Sequence, residues 1–172
     1  MEKIIYYPVF FTATIRHWKS LLKPEKYKKI VLEQLHEQVN KNQLIVYAYC
    51  IMDNHLHLIW QVKGDIKTSE VQKQFLEGCS KSIKLDLEIH HPLVLDFFKS
   101  NQQDRKYHFW KRNALSIELY NDKIFEQKLD YIHNNPVSAG ICLHPEGYKF
   151  SSAAYYEKQI DYSNGLLTHY KG

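Results

Sequence analysis

The sequence contains no apolar run of about 18 residues that could span a bilayer, and its opening MEKIIYYPVFFTATIRHW lacks the small-residue cleavage site of a secretory signal. These two absences disfavour a membrane protein and a secreted one, and a cytoplasmic location is expected. Cysteine is also scarce. Cys50, Cys79 and Cys142 are odd in number and show no CxxC spacing, which argues against a disulfide framework or a cysteine-built zinc knuckle and predicts buried, reduced thiols. Charge of either sign is nearly balanced, with 23 Lys and Arg against 19 Asp and Glu. The resulting net charge of +4 is too small to announce a nucleic-acid partner by itself. No internal repeat, low-complexity tract or linker interrupts the chain, so one domain over residues 1–172 is expected.

Periodicity supplies the architecture. Ile4 to Thr14 is rich in β-branched and aromatic residues and predicts a first strand. Pro24 opens a helix in which Tyr27, Val31, Leu35 and Val39 recur every four residues. Leu44 to Ile51 and Asn54 to Val62 read as two strands of a hairpin joined by turn residues at Met52, Asp53 and Asn54. Ser69 is placed to cap a second helix carrying Val71, Phe75, Cys79, Ile83 and Leu87. His90 to Lys106 has no clean period and predicts a surface excursion, after which Tyr107 to Lys111 reads as a fourth strand. Asn121 caps a last helix that should stop before Pro136, because proline pushes its predecessor out of helical geometry; the tail beyond it reads as irregular. Strand, helix, strand, strand, helix, strand is the order of a ferredoxin-like α+β sandwich. The expectation is therefore an antiparallel sheet with helices on one face, plus an extra C-terminal helix.

Two constellations carry chemistry. Side chains alternate along a strand, so His55 and His57 share one face while Leu56, Leu58, Trp60 and Val62 line the other. Imidazoles two residues apart stand roughly 7 Å from each other along the strand and can converge on one ion. The last helix carries Lys128, Tyr131 and Asn135 along a single face. An amide oxygen at Asn135 joined to two imidazoles makes a neutral donor set that leaves positions open on Mg²⁺ or Mn²⁺ for phosphate oxygens. A phenol with an ordinary pKa near 10 is a poor nucleophile at neutral pH, so a tyrosine acting as one needs a cation nearby. Elsewhere, Arg105 to Arg112 interleaves basic and aromatic residues, a composition suited to neutralising phosphates and stacking bases, or alternatively to a strand with a solvated cationic edge.

The segments Ala48 to Ile59 and Leu129 to Ile141 resemble the paired signatures of the IS200-like single-tyrosine transposases, and the second is especially similar to the REP-associated tyrosine transposase branch. Phe109 to Arg112 and Gly147 to Ser152 extend the likeness, so that it covers most of residues 4–156. The resemblance implies that His55 and His57, as a His-hydrophobic-His (HUH) pair, bind a divalent metal together with Asn135. It implies that Tyr131 attacks single-stranded DNA and becomes joined to a 5′-phosphate, on strands folded into hairpins at the ends of mobile or repeated elements. Arg105, Lys106, Trp110, Lys111, Arg112 and Lys128 are the DNA-contact candidates. The family acts as a monomer or a homodimer, with the tyrosine helix against its own or the partner's histidine pair, and sequence leaves that choice open. Two rival readings explain one constellation each: a non-catalytic single-stranded nucleic-acid module, and a phosphohydrolase working through metal-activated water.

Overall fold

The computed structural model describes residues 6–172. Its elements are β1 (Val9–Thr14), α1 (Glu25–Asn40), β2 (Leu44–Ile51), β3 (His55–Val62), α2 (Thr68–His90), α3 (Pro92–Asp96), β4 (Leu115–Glu118), α4 (Asp122–Ser138) and α5 (Ala153–Lys158). The strands form one antiparallel sheet in the order β2-β3-β1-β4. This is the ferredoxin-like arrangement: β1 and β3 lie at the centre, and β2 and β4 lie at the edges.

Alternation decides which face each residue serves. Val9, Phe11 and Ala13 of β1 and Leu56, Leu58, Trp60 and Val62 of β3 point to one face, where Tyr27, Val31 and Leu35 of α1 and Val71, Phe75, Cys79, Ile83 and Leu87 of α2 cover them. The opposite face carries Phe10, Ala48, Cys50 and Ile59, and α4 lies over it through Phe125, Leu129 and Ile132. The extra helix is thus the lid of the second sheet face. Of the three thiols, Cys50 and Cys79 are buried as expected, whereas Cys142 is partly exposed.

Several boundaries depart from expectation. The first strand begins at Val9; the opening residues Ile4 and Ile5 of the predicted strand lie outside the described residues. Ser69 is inside α2, which starts at Thr68 after Lys67 and has no side-chain cap. The fourth strand is not Tyr107 to Lys111. That stretch makes only single bridges, Tyr107 with Lys99 and Trp110 with Ile15, and β4 lies further on at Leu115–Glu118. The aromatic run satisfied a strand pattern because it plugs the end of the core with Phe109 and Trp110, which is a packing demand and not a ladder. The excursion over residues 90–106 contains the short helix α3. Finally, α4 does not stop at Asn135. It passes through the buried Pro136 to Ser138, and the Asn135 carbonyl still accepts from the Ala139 amide at 3.0 Å. A proline this near a C-terminus forfeits one ladder bond only, and its burial against the core offsets that loss. Nor is α4 the last helix, since α5 follows.

Candidate active site

Sheet register builds the site. Antiparallel pairing sets Thr12 opposite His57 and Thr14 opposite His55, and the Thr12 hydroxyl meets Nδ1 of His57 at 2.7 Å. His55 Nδ1 donates to the Asn54 side-chain oxygen at 2.7 Å. With Nδ1 of each ring engaged, Nε2 is the nitrogen turned into the site. Both imidazoles turn Nε2 toward one group, the amide of Asn135: His55 Nε2 lies 3.2 Å from its oxygen and His57 Nε2 lies 3.4 Å from its nitrogen. The ring centroids of the pair are 4.9 Å apart.

Burial tunes these imidazoles. His57 is only 4% exposed, and burial first, then the nearby charges of His55 and Lys128, push its pKa down to about 3. Burial also lowers His55, opposed by its contact with Asn135. Burial thus favours the neutral form of both rings, the form that ligates a metal.

Tyr131 stands on α4 one turn before Asn135 and half exposed, 52%. Its ring meets that of His57 edge-on at 5.4 Å and that of Phe10 at 6.0 Å. The Lys128 ammonium lies 5.6 Å from the Tyr131 ring centroid and 4.8 Å from that of Phe10. Lys128, Tyr131 and Asn135 therefore share the face of α4 that meets the histidine pair. A cavity of about 470 Å³ opens beside them, lined by Asp53, Asn54, His55, Asn135 and Ser138 among others.

The donor set fits a divalent ion: two neutral imidazole nitrogens and an amide oxygen converge from one side, leaving the cavity side open. Among the described residues no cluster of three or more His, Cys, Asp or Glu is placed to hold a metal.

The DNA-contact candidates divide. Lys111 and Arg112 are exposed and, with Thr12 and Thr14, line a cleft of about 150 Å³; the Lys111 amide donates to the Thr14 carbonyl. Arg105 and Lys106 are also exposed; Arg105, together with Lys111 and Arg112, lines a groove of about 670 Å³ against α2, and it contacts Asp104 at 3.4 Å. Trp110 is not available for stacking. It is buried and its indole nitrogen donates to Ser80 at 3.0 Å, so the tryptophan of the basic-aromatic run is a core residue. His108 records the local field: burial, then the charges of Arg105, Arg16 and Arg112, hold it below the usual histidine range.

Sequence reasoning missed Thr12, which only register could reveal, and the buried Lys28. Lys28 Nζ donates to the Leu22 carbonyl at 2.7 Å, the Lys23 carbonyl at 3.1 Å and the Asp53 carboxylate at 2.8 Å, pinning the turn that presents Asn54 and His55. Asn54 was legible as a turn residue but not as the partner of His55.

No protein-family model matches the chain. The fold is shared with solved transposases: a transposase assignment from Deinococcus radiodurans superposes with a TM-score of 0.50 at 11% identity, covering 78% of this chain and 94% of that one. A REP-associated tyrosine transposase bound to a REP hairpin is nearer, with a TM-score of 0.65 at 20% identity over 98% of this chain and 88% of that one. In sequence, the chain is similar to the REP-associated tyrosine transposase of Escherichia coli, 26% identical over 149 residues and 74% of that protein. It is also similar to a protein assigned to the same group in Haemophilus influenzae, 26% identical over 110 residues. That second match spans 61% of this chain and only 56% of the Haemophilus protein. The resemblance drawn from the two motifs is therefore met by both comparisons: this chain is similar to REP-associated tyrosine transposases.

Proposed function

We propose that this protein cleaves and rejoins single-stranded DNA at hairpin-bearing ends through a 5′-phosphotyrosine intermediate, with Tyr131 as nucleophile and a divalent metal held by His55, His57 and Asn135. The observation that carries the reading is the convergence of both Nε2 atoms on the Asn135 amide, with Tyr131 edge-on to His57. Each constellation alone is explained by a rival; their meeting across the sheet and α4 is not.

A bound Mg²⁺ or Mn²⁺ would supply Lewis acidity toward the scissile phosphate. Thr12 and Asn54 hold the two imidazoles in orientation. Tyr131 gives up its phenolic proton and forms a bond from its oxygen to phosphorus while the bond to the 3′-oxygen breaks, and that oxygen takes up a proton and leaves as the 3′-hydroxyl, so no net proton is consumed. One phosphodiester is exchanged for another, so rejoining needs no ATP. Lys128, within 6 Å of the Tyr131 ring centroid, is placed to lower the cost of negative charge on the phenolate or the phosphate. Lys111 and Arg112 offer phosphate contacts along the cleft beside Thr12 and Thr14.

The test is a labelled single-stranded hairpin library incubated with the protein and Mn²⁺ or Mg²⁺, resolved under denaturing conditions. A covalent adduct is expected, absent in Tyr131→Phe and with EDTA. Cleavage that persists in Tyr131→Phe would instead identify the hydrolase, and chelator-insensitive binding with no adduct the non-catalytic module.

A further inference from the structure

The backbone leaves β1 into a turn at Arg16–Trp18 in which two successive non-glycine residues, His17 and Trp18, hold left-handed torsions, φ 57° and 56°. Bulky side chains rarely occupy that region, and such outliers point to a function that the surrounding structure enforces. What the torsions achieve here is the display of an indole: Trp18 is 62% exposed while Trp60 and Trp110 are buried. A second large aromatic, Phe97 just after α3, is 69% exposed.

Each ring carries a cation. Lys111 Nζ sits 5.2 Å from the Trp18 centroid and Lys19 Nζ sits 5.5 Å from that of Phe97. Arg16 ties the two segments together by donating to the Lys99 carbonyl at 3.3 Å. Among the described residues the acidic group that pairs in this patch is Asp96, with Lys99 at 3.1 Å, and Lys19, Lys111 and Arg112 are exposed to solvent. This patch adjoins the candidate site through the backbone: the Ile15 amide donates to the Asn54 carbonyl and the Lys111 amide to the Thr14 carbonyl, opposite His55. A protein or lipid partner would not need rings individually flanked by lysines. Unpaired bases, each with a π-face and an adjoining phosphate, fit both components.

We infer that Trp18 and Phe97 form a stacking platform for unpaired bases of a single-stranded DNA segment next to the hairpin, with Lys19 and Lys111 on the intervening phosphates. The inference rests on the single-stranded DNA reading of the site, and adds which part of the substrate is held and by what. The platform takes over the role that Trp110, being buried, cannot fill.

The experiment compares the affinity of the protein for a hairpin with a single-stranded extension and for the same hairpin blunt-ended, by fluorescence anisotropy, in wild type, Trp18→Ala, Trp18→Phe and Phe97→Ala. Each alanine variant is expected to lose about tenfold affinity for the extended hairpin and less than twofold for the blunt one, with Trp18→Phe restoring most of the loss. Wild-type tryptophan emission should fall on binding the extension, because the one exposed indole among the three is covered. Equal losses on both substrates, no loss on either, or a wild type that prefers the blunt hairpin would overturn the platform. Failure of the strand-transfer reading looks different: extension-selective, Trp18-dependent binding without any Tyr131 adduct.

Discussion

Lys28 offers a sharp test of how the fold presents the site. It is buried on α1 at 4% exposure, and its ammonium bonds two main-chain carbonyls and the Asp53 carboxylate. Lys28→Met keeps the length and apolar stem of the side chain and removes only the charge and its donors. The Asp53 side chain is 42% exposed and can recover water, so that part of the loss is small. The Leu22 and Lys23 carbonyls lose a charged donor, and hydrogen bonds to charged groups are worth about 1.5–3 kcal/mol each. Relief from desolvating the ammonium offsets part of this, and a net destabilisation of about 2–3 kcal/mol results. For a domain of this size that lowers Tm by about 4–12 °C, read by thermal unfolding of the metal-free protein. Because the same ammonium anchors the turn that carries Asn54, Mn²⁺ affinity should also fall, by about tenfold, as for loss of other groups that orient a ligand. A variant with unchanged Tm and unchanged Mn²⁺ affinity would refute the claim that Lys28 holds the turn. A lowered Tm with unchanged Mn²⁺ affinity would refute its link to the site.

Three further outcomes follow from specific contacts. Thr12→Val, which keeps the branched shape but removes the partner of His57 Nδ1, should weaken Mn²⁺ binding by roughly 10-fold to 100-fold by titration calorimetry while shifting Tm little. Trp110→Ala should cost about 3–5 kcal/mol in denaturant unfolding through the cavity it leaves, with DNA affinity of the folded protein unchanged. His133 is buried against the Ser152 hydroxyl at 2.8 Å, and burial pushes its pKa down to about 4. The unfolded chain takes up that proton near pH 6.5 and the folded one does not, so the contribution of His133 is fully present above pH 6.5 and is lost as pH falls toward 4. The loss amounts to roughly 3 kcal/mol, and His133→Gln should reduce the acid-side slope of stability against pH by about one proton.

The site was largely legible because its parts are local. His55 and His57 declare themselves by strand alternation and Lys128, Tyr131 and Asn135 by helical spacing, and the structure brings the two faces together as those periods require. What stayed hidden is what depends on registers and ends. Thr12 becomes a partner of His57 only once β1 is paired with β3 in one particular register, and a shift of one residue would turn it to the opposite face. The fourth strand was displaced because aromatic residues at Tyr107 to Trp110 satisfy strand propensity while serving as a core plug, and propensity measures fitness for a half-buried surface without saying which one. The true β4, Leu-Ser-Ile-Glu, is a short and mostly exposed edge, as edge strands tend to be, and carries a correspondingly weak signal.

That misplacement has a functional consequence. Had Tyr107 to Lys111 been an edge strand, Trp110 would alternate with Lys111 and could have presented its indole to a base. Because the segment instead makes a single bridge at Trp110 and folds its ring inward onto Ser80, the same chain turn throws Lys111 outward onto Trp18. The exposed aromatic next to the basic edge therefore comes from the turn after β1, 92 positions earlier in sequence than the buried one. No composition window could join Trp18 to Lys111; the Arg16 amide donating to the Phe109 carbonyl and the Lys111 amide donating to the Thr14 carbonyl do so. If substitution at Trp18 leaves binding of extended hairpins intact, this surface has some other use, and the strained pair at His17 and Trp18 loses the explanation given for it here.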